Sequence, residues 1–397
     1  MDIEKYKIEC DEFLDQNLED LWTIAQYIHS NPELGFEEEK ACEVQCDYLR
    51  SKGFSVQEGV GSLKTAFLAE FGSGKPVVAV VSEYDALPEI GHACGHNLIA
   101  TSALGTAIIV QKYLRDFPKG TLKVIGAPAE EGGGGKIILL NEGAFEGVDA
   151  VIMQHPTSAP TRLAGECMSS MKYSFEFIGK SAHAGSHPED GMNALSAANL
   201  FFVATGLLRQ HFKGDMRLSG IVADGGKAIG LIPDYARVNG SMSSFSLKDL
   251  QRNVERVKAC AEGSAHALGC ELKFEIKEGY QGRVPNAVLS EVCRKELQKL
   301  DEPLLDGMPF DYGGEDLGNV SRLIPICNPY VTIFPDYKIS NHTEQFRELS
   351  NSESGLHCLE IASKSMGRTL IELLENPNII EEAKEELSKR MEEELKK

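Results

Sequence analysis

The sequence predicts an α/β protein: a mostly parallel sheet, interrupted by an inserted α+β domain of ferredoxin-like order. Three observations predict it. Apolar runs at Pro76–Val81, Thr121–Gly126 and Asp149–Met153 each end in polar chemistry, with helical stretches between them. Continuous runs of this kind suit strands buried on both faces, and strands alternating with helices imply a parallel sheet. From Cys167 the texture changes to strand-helix-strand-strand-helix-strand, until Gly282-Arg283-Val284-Pro285 marks a return to the first domain. At 397 residues two domains are the natural expectation, here 1–166 with 283–397, and 167–282.

Taken in order, about Leu14 to Ser51 has helical periodicity broken by Asn31-Pro32-Glu33-Leu34-Gly35, and a strand follows near Thr65–Phe71. Helices are expected at Leu98–Leu114 and Gly135–Glu142. In the insertion, Met171–Phe177 alternates as a strand, followed by a helix at about Gly191–Gln210 and strands at Leu218–Ala223 and Asp234–Ser241. A helix over Leu247–Leu268 and a strand over Glu271–Ile276 complete it. The charged stretch from Asn378 reads as a solvated terminal helix. There is no internal repeat and no low-complexity linker.

Composition narrows the function. Hydrophobic content of 42% and charged content of 25% are those of a globular protein, and no apolar run approaches the roughly 20 residues of a membrane helix. The acidic start, Met1-Asp2-Ile3-Glu4-Lys5, has no apolar signal core. Ten scattered cysteines without paired spacing fit a reducing, cytoplasmic compartment. A net charge of -20 argues against nucleic acid and anionic membranes as partners, and favours cationic substrates only weakly.

The chemistry concentrates in Gly91-His92-Ala93-Cys94-Gly95-His96-Asn97. A thiol and an imidazole two residues apart can be turned onto one centre, and zinc-like sites combine thiolate, imidazole and carboxylate. Glu130-Glu131, His155 and His342 offer the rest of a shell. Adjacent carboxylates repel, so burying both calls for cations or a shared proton. On an irregular turn one can ligate while the other faces a reacting water. The bland readings are a packed cysteine–histidine pair and a solvated acidic turn. Clusters at the carboxyl ends of three strands, where α/β sheets bind ligands, favour a hydrolytic site with two metal ions. His92 sits either behind the ligands or in packing. Gly132–Gly135 followed by Lys136 is not a phosphate loop, because Ile137 stands where Ser or Thr is required. His342, by itself, reads as a surface histidine.

The chain resembles the M20 metallopeptidase family across nearly its whole length. The likeness rests on Glu83-Tyr84-Asp85-Ala86-Leu87-Pro88, His92 to Asn97, Pro128-Ala129-Glu130-Glu131-Gly132-Gly133 and Gln154-His155-Pro156. Gly179-Lys180-Ser181-Ala182-His183-Ala184 and Asp316-Leu317-Gly318-Asn319-Val320-Ser321 extend it. The branch is that of N-acyl amino acid and p-aminobenzoyl-glutamate amidohydrolases, with the nearest likeness to β-alanyl-lysine-type dipeptidases. The resemblance implies that Cys94 bridges two divalent ions, Zn2+ or Mn2+. His96 and His155 would complete one site, and Glu131 and His342 the other. Glu130 would be the general base on a water between the metals, and Asp85 would orient the ligands from behind. The insertion would be a lid and dimerisation domain whose His183 reaches a partner subunit's site to stabilise the oxyanion.

The expected function is therefore metal-dependent hydrolysis of an amide or peptide bond in a dipeptide or N-acyl amino acid, by a homodimer. Two departures open an alternative. Relatives commonly carry Asn and Arg, both contacting the substrate carboxylate, where this chain aligns Gly230 and Ser243. Neither forms a charge-assisted bond. Asn328, where close relatives prefer His, points the same way. Either another basic group substitutes or the substrate is an amide without a carboxylate. A third possibility is an inactive metal-bound dimer that serves as a binding protein.

Overall fold

A computed structural model describes residues 2–334 and 338–396. The chain divides into two compact units, Met1–Glu166 with Arg283–Asp311 and Asp316–Lys397, and Cys167–Gly282 with Tyr312–Glu315.

Thirteen strands are described, and six build the main sheet of the larger unit. These are β1 (Ser55–Val60), β2 (Leu63–Ser73), β3 (Val77–Glu83), β4 (Gly120–Ala127), β5 (Ala150–Ile152) and, late in the chain, β12 (Ile326–Cys327). Their order is β1-β2-β4-β3-β5-β12. Pairings β4–β3, β3–β5 and β5–β12 are parallel, while β2 is antiparallel to both β1 and β4. Only β2 therefore runs against the rest. The apolar runs behave as two-sided strands should. Val78 and Val80 join the core formed with helices His96–Asp116 and Glu353–Glu375, while Ala79 and Val81 join a second core on the other face, with Leu139 and Leu317.

Three differences from the sequence reading have local causes. β1 was not foreseen, because Ser55-Val56-Gln57-Glu58-Gly59-Val60 is an edge strand of which only Val60 is buried. The Asp149–Met153 run does not carry through to His155. β5 ends at Ile152, and His155 opens a new strand, β6 (His155–Thr157), in a separate sheet ordered β6-β13-β7. There β7 is Arg162–Leu163 and β13 is Pro329–Thr332. Pro156 is accommodated in this strand because β6 lies at the sheet edge, where a missing N–H is tolerated. Nor is the terminal helix, Asn378–Lys396, merely solvated: Ile380, Ala383 and Leu387 are buried. The Glu386 carboxylate accepts the first N–H groups of helix Ala287–Lys299, from Ala287 and Val288 (both 3.0 Å), which that helix cannot satisfy itself.

The smaller unit holds β8 (Ser169–Ile178), β9 (Arg217–Asp224), β10 (Tyr235–Ser244) and β11 (Glu271–Glu278) in one antiparallel sheet, ordered β11-β8-β10-β9. That is the ferredoxin-like order. Met171, Tyr173, Phe175 and Phe177 alternate inward from β8 to meet Ala197, Phe201, Leu250 and Val257 of helices Ala194–Leu208 and Leu247–Ala267.

Candidate metal centre

The Cys94–His96 turn depends on the glycine between them. Gly95 has φ +79°, and a Cβ there would lie 2.6 Å from Pro156 Cγ. Only a residue without a side chain fits this left-handed position against that wall. The helix beginning at His96 leaves the turn at once, so Sγ of Cys94 and the ring of His96 converge. Asp85, two residues beyond β3, fixes the result. Its Oδ1 lies 3.0 Å and its carbonyl oxygen 2.9 Å from His96 Nδ1, so that nitrogen carries the proton. Its Oδ2 accepts the Glu131 N–H at 2.9 Å. His96 Nε2 is buried and without a hydrogen-bond partner. An orphaned buried nitrogen of this kind fits a ligand to a cation.

The Glu130–Glu131 turn follows β4. Ala129 has φ +56°, and its N–H is held by buried Glu38, whose Oε1 accepts at 2.8 Å while Oε2 accepts from Thr65 Oγ1 at 2.8 Å. Gly135 closes the turn, since a Cβ there would sit 1.8 Å from the Pro128 carbonyl oxygen. His155 lies 3.5 Å from Cys94 Sγ through Nε2, its Nδ1 engaged with the Pro156 carbonyl at 2.7 Å. His342 arrives from far along the chain. Its backbone N–H donates to the Ala93 carbonyl at 2.9 Å, its φ is +61°, and Thr343 caps the helix that follows. Nε2 then stands 3.2 Å from Glu131 Oε1, with the side chain 47% exposed.

Ligand atoms thus converge in three groups: Cys94, His96 and His155; Cys94, Glu131 and His342; and His96, Glu130 and Glu131, each within 4.8 Å. Cys94 is common to the first two. Sulfur, nitrogen and carboxylate oxygen in this mixture suit a borderline-soft divalent ion. The electrostatics agree. Burial would raise the Cys94 thiol, but His155 and His96 outweigh it and bring it to about 5. Hydrogen bonds to Cys94 and Glu131 push His342 up to about 10. Burial opposes the charging of His96 and His155, yet Cys94 lifts both above the usual imidazole range. Glu131 and Asp85 are held low against burial, Glu131 by His342 and Asp85 by His96. The Cys94 thiolate and the Glu131 carboxylate are thus held in the charged form by the imidazoles beside them.

Sequence reasoning missed a buried ion cluster behind Glu130. Lys136 pairs with both Glu83 and Asp316, and its backbone N–H donates to Asp316 at 2.9 Å. All three are buried. Burial, then Glu83 and Asp316, raise the Glu130 carboxyl well above its ordinary value, with Lys136 and His96 opposing. No local signal in the sequence joins the three, which lie far apart along the chain.

His92 is buried, its ring lies 6.3 Å from that of His29, and burial followed by His96 and His29 keeps it neutral, down to about 3. His183 lies in the smaller unit, on an exposed loop where its Nδ1 accepts from Gly185 and Ser186 N–H at 3.2 and 3.0 Å. Gly230 there is exposed, with nothing near its Cβ position, and Ser243 pairs in β10 with Ser170 and Arg217. Asn328, in the larger unit, is buried and bonded to Arg283 and to the Met153 carbonyl.

Comparison with known proteins places the chain in a family. Residues 79–364 match the model of peptidase family M20/M25/M40. The mouse Xaa-Arg dipeptidase is 32% identical over 99% of this chain and 94% of its own. One chain of the Escherichia coli p-aminobenzoyl-glutamate hydrolase is 33% identical over 70% of this chain and 62% of its own. Among solved structures, a dinuclear metal-binding M20 peptidase of Bacillus subtilis shares the fold with a TM-score of 0.72, at 22% identity over 91% of this chain and 99% of its own. The chain is a hydrolase belonging to peptidase family M20/M25/M40.

Proposed function

We propose that the protein hydrolyses an amide or peptide bond in a small substrate, a dipeptide or N-acyl amino acid, with Glu130 as general base. The observation that carries this reading is the pair of triplets sharing Cys94, with Glu130 beside them. Cys94, His96 and His155 would hold one divalent ion, and Cys94, Glu131 and His342 the other. When bound, such a pair of ions polarises the substrate carbonyl and lowers the pKa of a water toward neutrality. The thiolate favours zinc over manganese.

Glu130 takes the proton from the attacking water and returns it to the leaving amine. Its surroundings suit both steps. Burial, Glu83 and Asp316 raise its proton affinity, and Lys136 with His96 limits the rise. Asp85 holds His96 and Glu131 still while this happens, through one oxygen each. His183, on its exposed loop, would donate to the oxyanion in a homodimer built through the smaller unit. Support for a dimer lies in edge strand β9, which exposes Ile221 and Val222, and in Leu200, Val203 and Leu207 exposed on helix Ala194–Leu208. A cytoplasmic setting is supported by ten cysteines of which none is bridged; no described helix is long and apolar enough to cross a membrane.

The mouse relative's name points to dipeptides ending in arginine as the first substrates to try. A second reading, an amidase for substrates without a carboxylate, is favoured by the missing charge at Gly230 and Ser243. The test is turnover by metal-loaded protein on Xaa-Arg dipeptides, N-acetyl amino acids and simple amides, with and without chelator. Chelator-sensitive cleavage of the first two supports the proposal. Cleavage of simple amides alone supports the second reading, and metal binding without turnover of any would leave only a binding protein.

A further inference from the structure

We propose that Arg162 receives the free carboxylate of the substrate, so that the site selects acids over the corresponding carboxamides. This rests on the hydrolase reading above and chooses between its two substrate classes.

In the β6-β13-β7 sheet, Tyr330 pairs with His155 on one side and with Arg162 on the other. Residues directly opposite across strands share a face. His155, Tyr330 and Arg162 therefore stand in one row, while Pro156, Val331 and Leu163 point into the core on the opposite face. The His155 and Tyr330 rings stack with centroids 5.1 Å apart and planes at 18°, and the Arg162 guanidinium carbon lies 4.6 Å from the Tyr330 centroid.

The arginine does not stay over its own strand. Its Nη1 donates to Thr157 Oγ1 at 3.0 Å. Thr157 belongs to β6, two residues beyond His155 and on the same face, about 6.6 Å along the strand. The guanidinium thus crosses Tyr330 and ends over the strand that carries a candidate metal ligand. A guanidinium has five donors in a planar fork, and Thr157 takes one. Among the described residues no carboxylate pairs with it, although the chain carries 60 acidic side chains against 40 basic ones. A half-buried arginine without an anion, beside a hydrolytic centre, is suited to bidentate capture of a carboxylate. In an N-acyl amino acid a single residue separates the scissile amide from the carboxylate.

The test compares N-acetyl-L-arginine with N-acetyl-L-argininamide, which differ at the carboxylate alone. On zinc-loaded wild type, Arg162→Met and Arg162→Lys, calorimetry reads affinity for a probe that is not turned over and steady-state kinetics read the preference for one that is, and metal content is measured on the same samples. Wild type is expected to bind the acid at least tenfold more tightly than the amide. Arg162→Met should lose that preference while keeping its metal and its amide affinity within about twofold, and Arg162→Lys should recover part of it. Where the acid is hydrolysed, the loss should fall on KM with kcat preserved. The proposal is overturned if wild type fails to bind the acid or shows no preference, if Arg162→Met keeps the preference, or if that variant weakens both probes alike, as a purely structural role would. A preserved acid preference with no turnover on any substrate would sink the hydrolase reading and leave the Arg162 assignment standing.

Discussion

Asp85 and His96 are joined twice. Both the carboxylate and the backbone carbonyl of Asp85 face the same ring nitrogen, at 3.0 and 2.9 Å, so the imidazole has one tautomer and one orientation available. Because the other carboxylate oxygen holds the Glu131 N–H, one side chain registers the two segments that carry these candidate ligands against each other. Asp85→Ala should therefore lower metal affinity by about 10- to 100-fold, as removal of such supporting partners does elsewhere. Competition with a chromophoric chelator measures it, and unchanged affinity would remove Asp85 from this role.

Glu130→Gln separates chemistry from binding. The amide keeps the shape of the side chain and cannot accept the water's proton. Both metals should remain, by elemental analysis, while turnover falls about 10²- to 10⁴-fold. A variant near the wild-type rate would take Glu130 out of the mechanism.

Loading the centre should expel protons. In the metal-free protein Cys94 is drawn down to about 5 and His342 up to about 10, so at neutral pH the thiolate is already formed and His342 is charged. A ligating imidazole must be neutral, so a cation has to displace the His342 proton. Apparent metal affinity should then climb as pH rises from neutrality toward about 10 and weaken as pH falls. Calorimetry in buffers of different ionisation enthalpy would show the release. A buffer-independent heat near pH 7 would contradict it.

The parts of this centre that could be read from the sequence are those fixed by short-range rules. Cys94 and His96 share a turn, Glu130 and Glu131 share another, and both follow apolar strands whose two buried faces leave a clear pattern. His342 could be found only by resemblance. What places it is one backbone bond to Ala93 and a left-handed φ, neither of which leaves a local signature. Lys136 carries no such local signal, because its partners Glu83 and Asp316 lie 53 and 180 residues away and meet it through the fold. β1 was hidden by its polar edge position. In the terminal helix, Ile380, Ala383 and Leu387 form a narrow apolar seam diluted by charge.

That seam is testable. Leu387→Ala should cost about 2 kcal/mol, at the low end for a buried leucine because the residue sits near the helix surface. Glu386→Ala should cost about 1 kcal/mol, the worth of a lost cap. Denaturant unfolding measures both. Metal affinity should not change, since neither side chain belongs to the ligand groups. No loss of stability in either variant would return the helix to a solvated role.

Gly95 offers a sharper test, because two separable costs meet there. Alanine in a left-handed conformation costs about 1–2 kcal/mol. Independently, its Cβ would sit 2.6 Å from Pro156 Cγ and 3.3 Å from Phe346 Cε1. Pro156 is in the core beside His155, so the clash cannot be relieved without moving a candidate ligand. Gly95→Ala should therefore lose both stability and metal affinity. Truncating Pro156 to Ala removes the Cγ and leaves the backbone strain. In the double variant the combined loss should be smaller than the sum of the two single losses by about 1 kcal/mol, a coupling expected only of side chains in contact. Additive losses would mean that backbone conformation alone demands glycine at this turn, and that the wall of Pro156 plays no part in aiming Cys94 and His96.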